Sequence, residues 1–214
     1  MQFIEKDAKS NPRLLELGTS RAVFWSPSVK KNTKLVMRGV FLVLAFLPAA
    51  CSGFGSWKTI YLMFAQAFAL GPGILGDYLR IAFYRMTLTG CASSSRISFG
   101  SYFAHPEAQL GESVYIGSYC VIGRAEIGEN TQIATAVQIL SGRGQHVRDE
   151  VGRISGSDSS RFVTVKIGAN CWIGAAAIVM ADVGAGSTIG AGSVVTREIP
   201  SGCVATGVPA RVHS

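Results

Sequence analysis

The chain has 214 residues, of which 48% are hydrophobic and only 15% charged, and its formal net charge is +7. This length allows one ordinary domain, or a small domain with an appendage, and the low charge content indicates an unusually apolar chain. The positive excess lies in residues 1–95, which carry eleven Lys and Arg against four Asp and Glu, whereas residues 96–214 are balanced. Basic charge beside apolar sequence favours a membrane surface, and the sequence contains no motif typical of nucleic-acid binding.

The first 95 residues divide into two predicted regions. Residues 1–35 are polar and basic without a sustained period, so we expect a basic, poorly ordered N-terminal arm. Residues 36–95 form an apolar region, which we expect to be helical, with two apolar runs interrupted by Pro48 and several glycines. Two short helices dipping into one membrane leaflet are the preferred interpretation, and a soluble helical cap on the following domain is the alternative.

The membrane interpretation makes specific residue predictions. Residues 36–90 would make a peripheral or monotopic contact with the membrane. Basic side chains just before this region and at its start would bind lipid headgroups, and aromatic side chains would lie at the membrane interface. The predicted headgroup cations are Lys30, Lys31, Lys34 and Arg38, and the predicted interfacial aromatics are Trp57, Tyr61 and Tyr78.

Residues 96–214 carry an internal repeat with a period of six, which excludes an amphipathic helix of period 3.6. Aliphatic residues recur at this spacing, each series continuing after a shortened step or a loop: Leu110, Ile116, Ile122, Ile127, Ile133, Ile139, Ile167, Ile173, Val179, Val183, Ile189 and Val195. Small or β-branched residues follow four positions later: Val114, Cys120, Thr131, Val137, Cys171, Ala177, Ser187 and Ser193. The pattern predicts a parallel β-helix whose coils contain three short strands, with both series pointing inward.

Glycine follows most of the large aliphatic residues, as at Gly111, Gly117 and Gly174. We expect these glycines at corners where the backbone torsion is demanding. Cys120 and Cys171 occupy inward positions and are therefore interpreted as core residues. The five cysteines have neither a C-x-x-C pair nor zinc-ligand spacing, so we expect a reducing cytoplasmic compartment and no metal site.

The repeat is interrupted after Leu140 and resumes at Val165. Residues 141–163 are rich in glycine and serine and carry charges of both signs. A long loop leaving a regular solenoid is where a functional site is expected, so we predict an active-site loop here.

Together, the repeat and the loop resemble the hexapeptide-repeat acyltransferases, and among these the sugar and polysaccharide O-acetyltransferases related to maltose and galactoside acetyltransferases. The resemblance rests on the segments IGSYCVIG (116–123), SGRGQH (141–146), IGANCWIG (167–174), ADVGAGSTIGAGSVVTREIP (181–200) and ATGVPARV (205–212). It implies a left-handed parallel β-helix, a homotrimer and acetyl-CoA as the acyl donor. The apolar N-terminal region is similar, more loosely, to that of exopolysaccharide acetyltransferases.

His146 is the predicted general base, because acyl transfer to a hydroxyl requires a group that accepts the hydroxyl proton near neutral pH. It lies in the ejected loop and matches the catalytic histidine of the family. Asp149 resembles the acid of the family's H-x-x-D segment and would orient the imidazole or hold the acceptor. Ser141 and Gly142 are candidate oxyanion donors. His105 is expected to be structural, with the alternative that it lines the site from a neighbouring subunit, and His213 is expected to be irrelevant.

The resemblance also implies a site for the acyl donor. Trp172 would project outward and be covered by a trimer neighbour or by the ligand. Gly174, Ala191 and Gly192 would give the pantetheine arm close access to the backbone. Arg197 and Arg211 match basic positions near the nucleotide end of coenzyme A, whose phosphates require cations.

The sequence therefore predicts an O-acetyltransferase that acts on a sugar or glycan intermediate at the cytoplasmic face of the cell membrane. An acetyltransferase for a small soluble acceptor, such as an amino sugar, serine or an antibiotic, leaves the apolar N-terminal region unexplained. A non-catalytic β-helix scaffold, the third interpretation, predicts neither coenzyme A binding nor any role for His146.

Overall fold

A computed structural model describes residues 27–142, 144, 146–157 and 159–213. From Arg38 onwards, the described residues form one compact unit. Of the arm predicted for residues 1–35, residues 1–26 lie outside the described residues, and residues 27–35 form the start of a helix. The three described α-helices are α1 (Pro27–Cys51), α2 (Lys58–Ala69) and α3 (Gly73–Thr87).

Eighteen strands follow the helices in the described part of the chain, most of them only two residues long. In chain order they are β1 (Gly90–Cys91), β2 (Arg96–Ile97), β3 (Tyr102–Phe103), β4 (Gln109–Leu110), β5 (Tyr115–Ile116), β6 (Val121–Ile122), β7 (Ala125–Ile127), β8 (Gln132–Ile133), β9 (Gln138–Ile139), β10 (His146–Arg148), β11 (Ile154–Ser157), β12 (Val165–Ile167), β13 (Trp172–Ile173), β14 (Ile178–Val179), β15 (Thr188–Ile189), β16 (Val194–Val195), β17 (Val204–Gly207) and β18 (Ala210–His213).

The strands stack into a parallel β-helix with three faces. The first face contains β1, β4, β7 and β12 and continues through bridges at Val183 and Ile199. The second contains β2, β5, β8, β13, β15 and β17, with β18 returning antiparallel at its end, and the third contains β3, β6, β9, β14 and β16. The chain visits the faces in this order in about six coils, which confirms the predicted mainly β fold of hexapeptide repeats.

The register places equivalent residues of successive coils directly above one another, so that Ile116, Ile133, Ile173 and Ile189 form a ladder inside the second face. Every large aliphatic residue predicted to point inward is at most 3% exposed, and the small residues of the second series are buried as well. Burial of each large aliphatic side chain stabilises the fold by about 1.5–3 kcal/mol. Cys120 and Cys171 belong to this core, where burial raises the pKa of both thiols.

The glycines after the large aliphatic residues serve a purpose different from the predicted one. A Cβ atom at Gly168 would lie 2.4 Å from the backbone nitrogen of Ala185, and one at Gly174 would lie 2.5 Å from that of Ala191. Their role is therefore to let successive coils approach, and the torsion explanation was wrong for them. The left-handed backbone conformation occurs two residues later, for example at Asn170 and Ala176, with φ of 56° and 57°.

Helices α2 and α3 pack against the first coil through buried polar contacts. Arg80 is fully buried and donates to the carbonyl oxygens of Phe68, Gly71 and Ile97 at 3.0, 2.7 and 2.8 Å. The Tyr61 hydroxyl donates to the Phe103 carbonyl at 3.0 Å. Tyr61 was predicted at a membrane interface, and this was wrong because its side chain lies inside the contact between the helices and the β-helix.

The apolar region contains three helices where two short ones were predicted. The first, α1, continues through Pro48 to Cys51, and the second apolar run is divided between α2 and α3. Among the described residues, Asn32–Cys51 is the one helical segment that is long and apolar enough to cross a membrane. Only 11% of its apolar 18-residue stretch is buried. Val43, Leu44 and Leu47 are exposed on it.

Candidate active site

The interruption of the repeat leaves the β-helix at the corner between the third and first faces, between β9 and β12. Within it, β10 and β11 form an antiparallel hairpin that pairs His146 with Ser157 and Arg148 with Ile154. A single 3₁₀ turn, Ser159–Arg161, leads back towards β12. The predicted active-site loop is thus an excursion that carries its own hairpin.

His146 is exposed on β10, and its Nδ1 atom lies 3.0 Å from the carbonyl oxygen of Gly156 on β11. A carbonyl oxygen can only accept a hydrogen bond, so Nδ1 carries the proton in this contact. In the neutral ring, Nε2 then bears the lone pair. In this tautomer, Nε2 is the ring nitrogen that can accept a proton.

Asp149 lies in the turn that joins the two strands. Its Oδ1 atom accepts hydrogen bonds from the backbone N–H groups of Val151 and Arg153, at 3.0 and 2.8 Å. The carboxylate therefore closes the turn, while the contact that orients His146 Nδ1 comes from Gly156. The sequence did not indicate Gly156, because every residue type has a backbone carbonyl that can accept such a hydrogen bond.

The two candidate oxyanion residues lie where the excursion leaves the coil. Ser141 is buried, and its hydroxyl accepts the backbone N–H of Arg124 at 2.9 Å. Gly142 has a φ of 84° and borders a shallow groove of about 300 Å³, together with Val163, Met180, Ala181, Asp182 and Glu198. The groove follows the same corner of the β-helix through the next two coils.

The residues predicted to bind the acyl donor lie elsewhere on the β-helix. Trp172 projects outward from β13 on the second face and is 60% exposed. Gly174 follows that strand, and Ala191 and Gly192 lie one coil below, all at the corner between the second and third faces. The Gly192 N–H donates to the Ala175 carbonyl at 2.8 Å, which fixes the two turns beside each other.

The two predicted phosphate-binding arginines are exposed but separate from each other. Arg197 lies between Val195 and Ile199, at the corner between the third and first faces, below the root of the excursion. Arg211 lies on β18, where its backbone pairs with Thr206 at the last coil of the second face. Within one chain, therefore, His146 and Arg197 belong to one corner, and Gly174, Ala191 and Gly192 to another.

The other two histidines make their contacts outside the hairpin that carries His146. His105 packs edge-to-face on Phe162, with ring centroids 5.1 Å apart, and burial lowers its pKa. His213 lies on β18 and contacts the Thr206 hydroxyl. The described residues contain no group of three or more His, Cys, Asp or Glu side chains placed to hold a metal ion.

Known proteins resemble the chain chiefly in its repeats and fold. The family model of the hexapeptide repeat of succinyl-transferase matches residues 164–197. A maltose O-acetyltransferase from Clostridium difficile 630 is 27% identical, with a TM-score of 0.52 over 72% of this chain and 83% of that chain. No protein of curated function matches the sequence.

Two further solved structures share the fold at lower identity. A hexapeptide-repeat-containing acetyltransferase from Vibrio cholerae is 19% identical, with a TM-score of 0.58 over 73% of this chain and 91% of that chain. A galactoside acetyltransferase in complex with coenzyme A is 21% identical, with a TM-score of 0.58 over 74% of this chain and 82% of that chain. The predicted resemblance to maltose and galactoside acetyltransferases is confirmed.

Proposed function

We propose that this chain, a hexapeptide-repeat acyltransferase, transfers an acetyl group from acetyl-CoA to a hydroxyl of a sugar or polysaccharide intermediate. The observation that carries the proposal is the hydrogen bond between His146 Nδ1 and Gly156, which leaves Nε2 available as a base. The maltose O-acetyltransferase that resembles the chain supports a sugar hydroxyl as the acceptor.

The proposed chemistry at His146 uses Nε2 as the base. Nε2 takes the acceptor hydroxyl proton as the oxygen bonds to the thioester carbonyl carbon. The resulting tetrahedral oxyanion collapses, the carbon–sulfur bond breaks, and the imidazolium returns its proton to the departing thiolate. A general base of this kind raises the rate by about 10²–10⁴-fold.

The donor site would be built around Trp172, Ala191 and Gly192. Gly174, which the sequence also assigns to it, is buried against Ala191 of the next coil. Ala191 and Gly192 are exposed, and a Cβ atom added at Gly192 would have nothing within 4 Å, so the backbone there is open to an extended ligand. Arg197 and Arg211 would contact the phosphates. The coenzyme A complex of the galactoside acetyltransferase supports coenzyme A as the carrier.

A homotrimer would bring the two separate corners together. The outward residues of the third face are mostly apolar and half-buried: Tyr102, Val121, Gln138, Ile178 and Val194. The outward residues of the first face, by contrast, include the charged side chains of Glu126 and Lys166. If three copies turn their third faces to the axis, the corner that carries His146 lies beside the neighbour's corner that carries Gly174. Analytical ultracentrifugation tests this arrangement, and a monomeric wild-type protein would refute it.

We further propose that the enzyme works at the cytoplasmic face of the membrane. Exposed apolar side chains occur on α1, directly before α2 and on α3, at Leu44, Leu47, Trp57, Ile74 and Leu75. These would contact lipid, with Arg38 on headgroups. The five described cysteines are free, which suits a reducing compartment. Co-flotation with phosphatidylglycerol vesicles tests the contact, and protein left at the bottom of the gradient would argue against it.

The experiment that tests the function is calorimetric titration of acetyl-CoA into the wild-type protein and into His146→Ala. Release of free coenzyme A is then followed with maltose, glucosamine and serine as acceptors. We expect both proteins to bind acetyl-CoA, and turnover to fall by about 10²–10⁴-fold in His146→Ala.

His213→Ala is the matched control, because it removes an exposed histidine outside the excursion and should leave turnover unchanged. Faster turnover with glucosamine or serine than with maltose would favour the small soluble acceptor. Absence of acetyl-CoA binding by the wild-type protein would favour the non-catalytic scaffold.

A further inference from the structure

A cluster of side chains lies at the root of the excursion that carries His146. At its centre is Arg124, which lies in the shortened corner between β6 and β7, one coil before the excursion. Its backbone contacts both ends of the excursion: its N–H donates to the Ser141 hydroxyl at 2.9 Å, and its carbonyl accepts from Val165 N–H at 3.0 Å. Arg124 is therefore built into the root of the loop.

The Arg124 side chain holds the returning end of the excursion through Phe162. Its Nη1 donates to the Phe162 carbonyl at 3.4 Å, and its guanidinium carbon lies 5.4 Å from the centroid of the Phe162 ring. His105 packs edge-to-face on the same ring, with an interplanar angle of 72°. The ring is thus held by a cation and by an aromatic neighbour.

Phe162 lies six residues after Gly156, whose carbonyl orients the His146 imidazole. The strand β11 and the single 3₁₀ turn connect them, so the position of Phe162 limits where that carbonyl can lie. A displacement of about 1 Å at a catalytic group can cost on the order of 10²-fold in rate. Fixing Phe162 would therefore matter to catalysis although the ring itself touches no reacting atom.

Two further charged groups set the position of Arg124. Its Nη2 lies 3.3 Å from Glu107 Oε1, and that oxygen also accepts from Lys58 Nζ at 2.8 Å. Lys58 is the first residue of α2, directly after the exposed Trp57. The ion pairs link the helical region to the loop root across the coil that carries Glu107.

We propose that Arg124 is a positioning residue for His146, acting through Phe162 and Gly156, and that Glu107 and Lys58 hold Arg124 in place. The inference rests on the proposed role of His146 as the base. It goes beyond that role because it assigns a function to four side chains outside the hairpin.

The test uses the full chain and two readouts. Arg124→Lys keeps the charge but loses the planar fork of the guanidinium. We expect kcat for acetyl-CoA turnover to fall by about 10-fold, while KM for acetyl-CoA changes by less than about twofold. Glu107→Gln should act in the same direction with a smaller effect. Lys166→Ala is the control, because it removes an exposed cation on the first face, 4.0 Å from Glu126.

A double mutant separates positioning from general destabilisation. If Arg124 acts through His146, Arg124→Lys adds no further loss in the His146→Ala background. An equal further loss in that background, or unchanged kcat in the wild-type background, overturns the proposal. Phe162→Leu, which keeps the ion pairs, provides the same test if Arg124→Lys does not fold.

Hydrogen exchange of residues 146–157 gives a readout that does not depend on turnover. We expect exchange there to become about 10-fold faster in Arg124→Lys, with the coils unchanged. Unchanged exchange overturns the proposal at any level of activity. A wild-type protein that binds acetyl-CoA without turning it over would refute the proposed function, and the exchange result would still decide whether Arg124 fixes the hairpin.

Discussion

The coils of the β-helix and the excursion between β9 and β12 are held by different interactions. In the coils, Ile173 has Ile133 above it and Ile189 below it, and its side chain is fully buried. In the excursion, β10 and β11 pair only with each other, and Ile154 on β11 is 60% exposed. The coils therefore provide stability by repetition, while the excursion depends on a few individual contacts at its root and turn.

The largest expected effect of this difference is on core packing. Ile173→Ala should lower the free energy of unfolding by about 2–5 kcal/mol, because it leaves a cavity in a ladder that cannot collapse. Ile154→Ala makes the same chemical change in the excursion and should cost less than about 0.5 kcal/mol. Urea denaturation of both variants measures the contrast, and equal losses would mean that the excursion is part of the core.

The glycines offer a second comparison. Gly168→Ala would place a Cβ atom 2.4 Å from Ala185 N, so the coils must separate locally, at a cost of about 1–3 kcal/mol. Gly144, in the excursion, has nothing within 4 Å of an added Cβ atom, and Gly144→Ala should be nearly neutral. Thermal unfolding of the two variants checks this. If Gly168→Ala unfolds at the same temperature as the wild-type protein, Gly168 is not needed for the close approach of the coils.

Asp149 gives a smaller, local effect. Asp149→Ala removes the acceptor of the Val151 and Arg153 N–H groups, and we expect the hairpin turn to lose about 1 kcal/mol. Hydrogen exchange should quicken at these two amides while the global unfolding free energy stays constant. If the carboxylate also holds the acceptor, which is one of the two roles that the sequence leaves open for it, KM for the acceptor will rise. An unchanged KM limits Asp149 to the turn.

The smallest effect concerns pH. Burial lowers the pKa of His105 below that of the unfolded chain, so the unfolded state binds more protons in this range. The associated stability is present above about pH 6.5 and is lost as the pH falls through the folded-state pKa. His105→Gln should therefore flatten the pH dependence of the unfolding midpoint below about pH 6.5. A slope as steep as that of the wild-type protein would exclude His105 as its source.

The same contrast explains which predictions from the sequence succeeded. In a β-helix, the side-chain direction of each residue follows from its place in the six-residue period, so the inward positions of Ile116, Cys120 and Ile173 and the outward position of Trp172 were all predictable. In the excursion there is no period. The contact of His146 with Gly156 and the packing of Phe162 on Arg124 depend on backbone atoms and on residues far apart in sequence.

The helical region falls between these two cases. Its apolar character was evident, but the composition did not reveal that Tyr61 is buried against Phe103 while Trp57 is exposed. Nor did it reveal that the helix continues through Pro48. A proline in a helix loses one backbone hydrogen bond, and the sequence does not record whether the remaining turns compensate for that loss.

The sequence by itself therefore determined the β-helix, its inward ladders and the position of the loop that carries His146, because a period of six fixes all of these locally. Only the tertiary structure decided that Gly156 orients the imidazole, that Asp149 closes the turn and that Arg124 and Phe162 hold the root of the loop. It also decided that the glycines admit neighbouring coils. Each of these depends on distances between segments far apart in the chain, and residue type and spacing do not encode such distances.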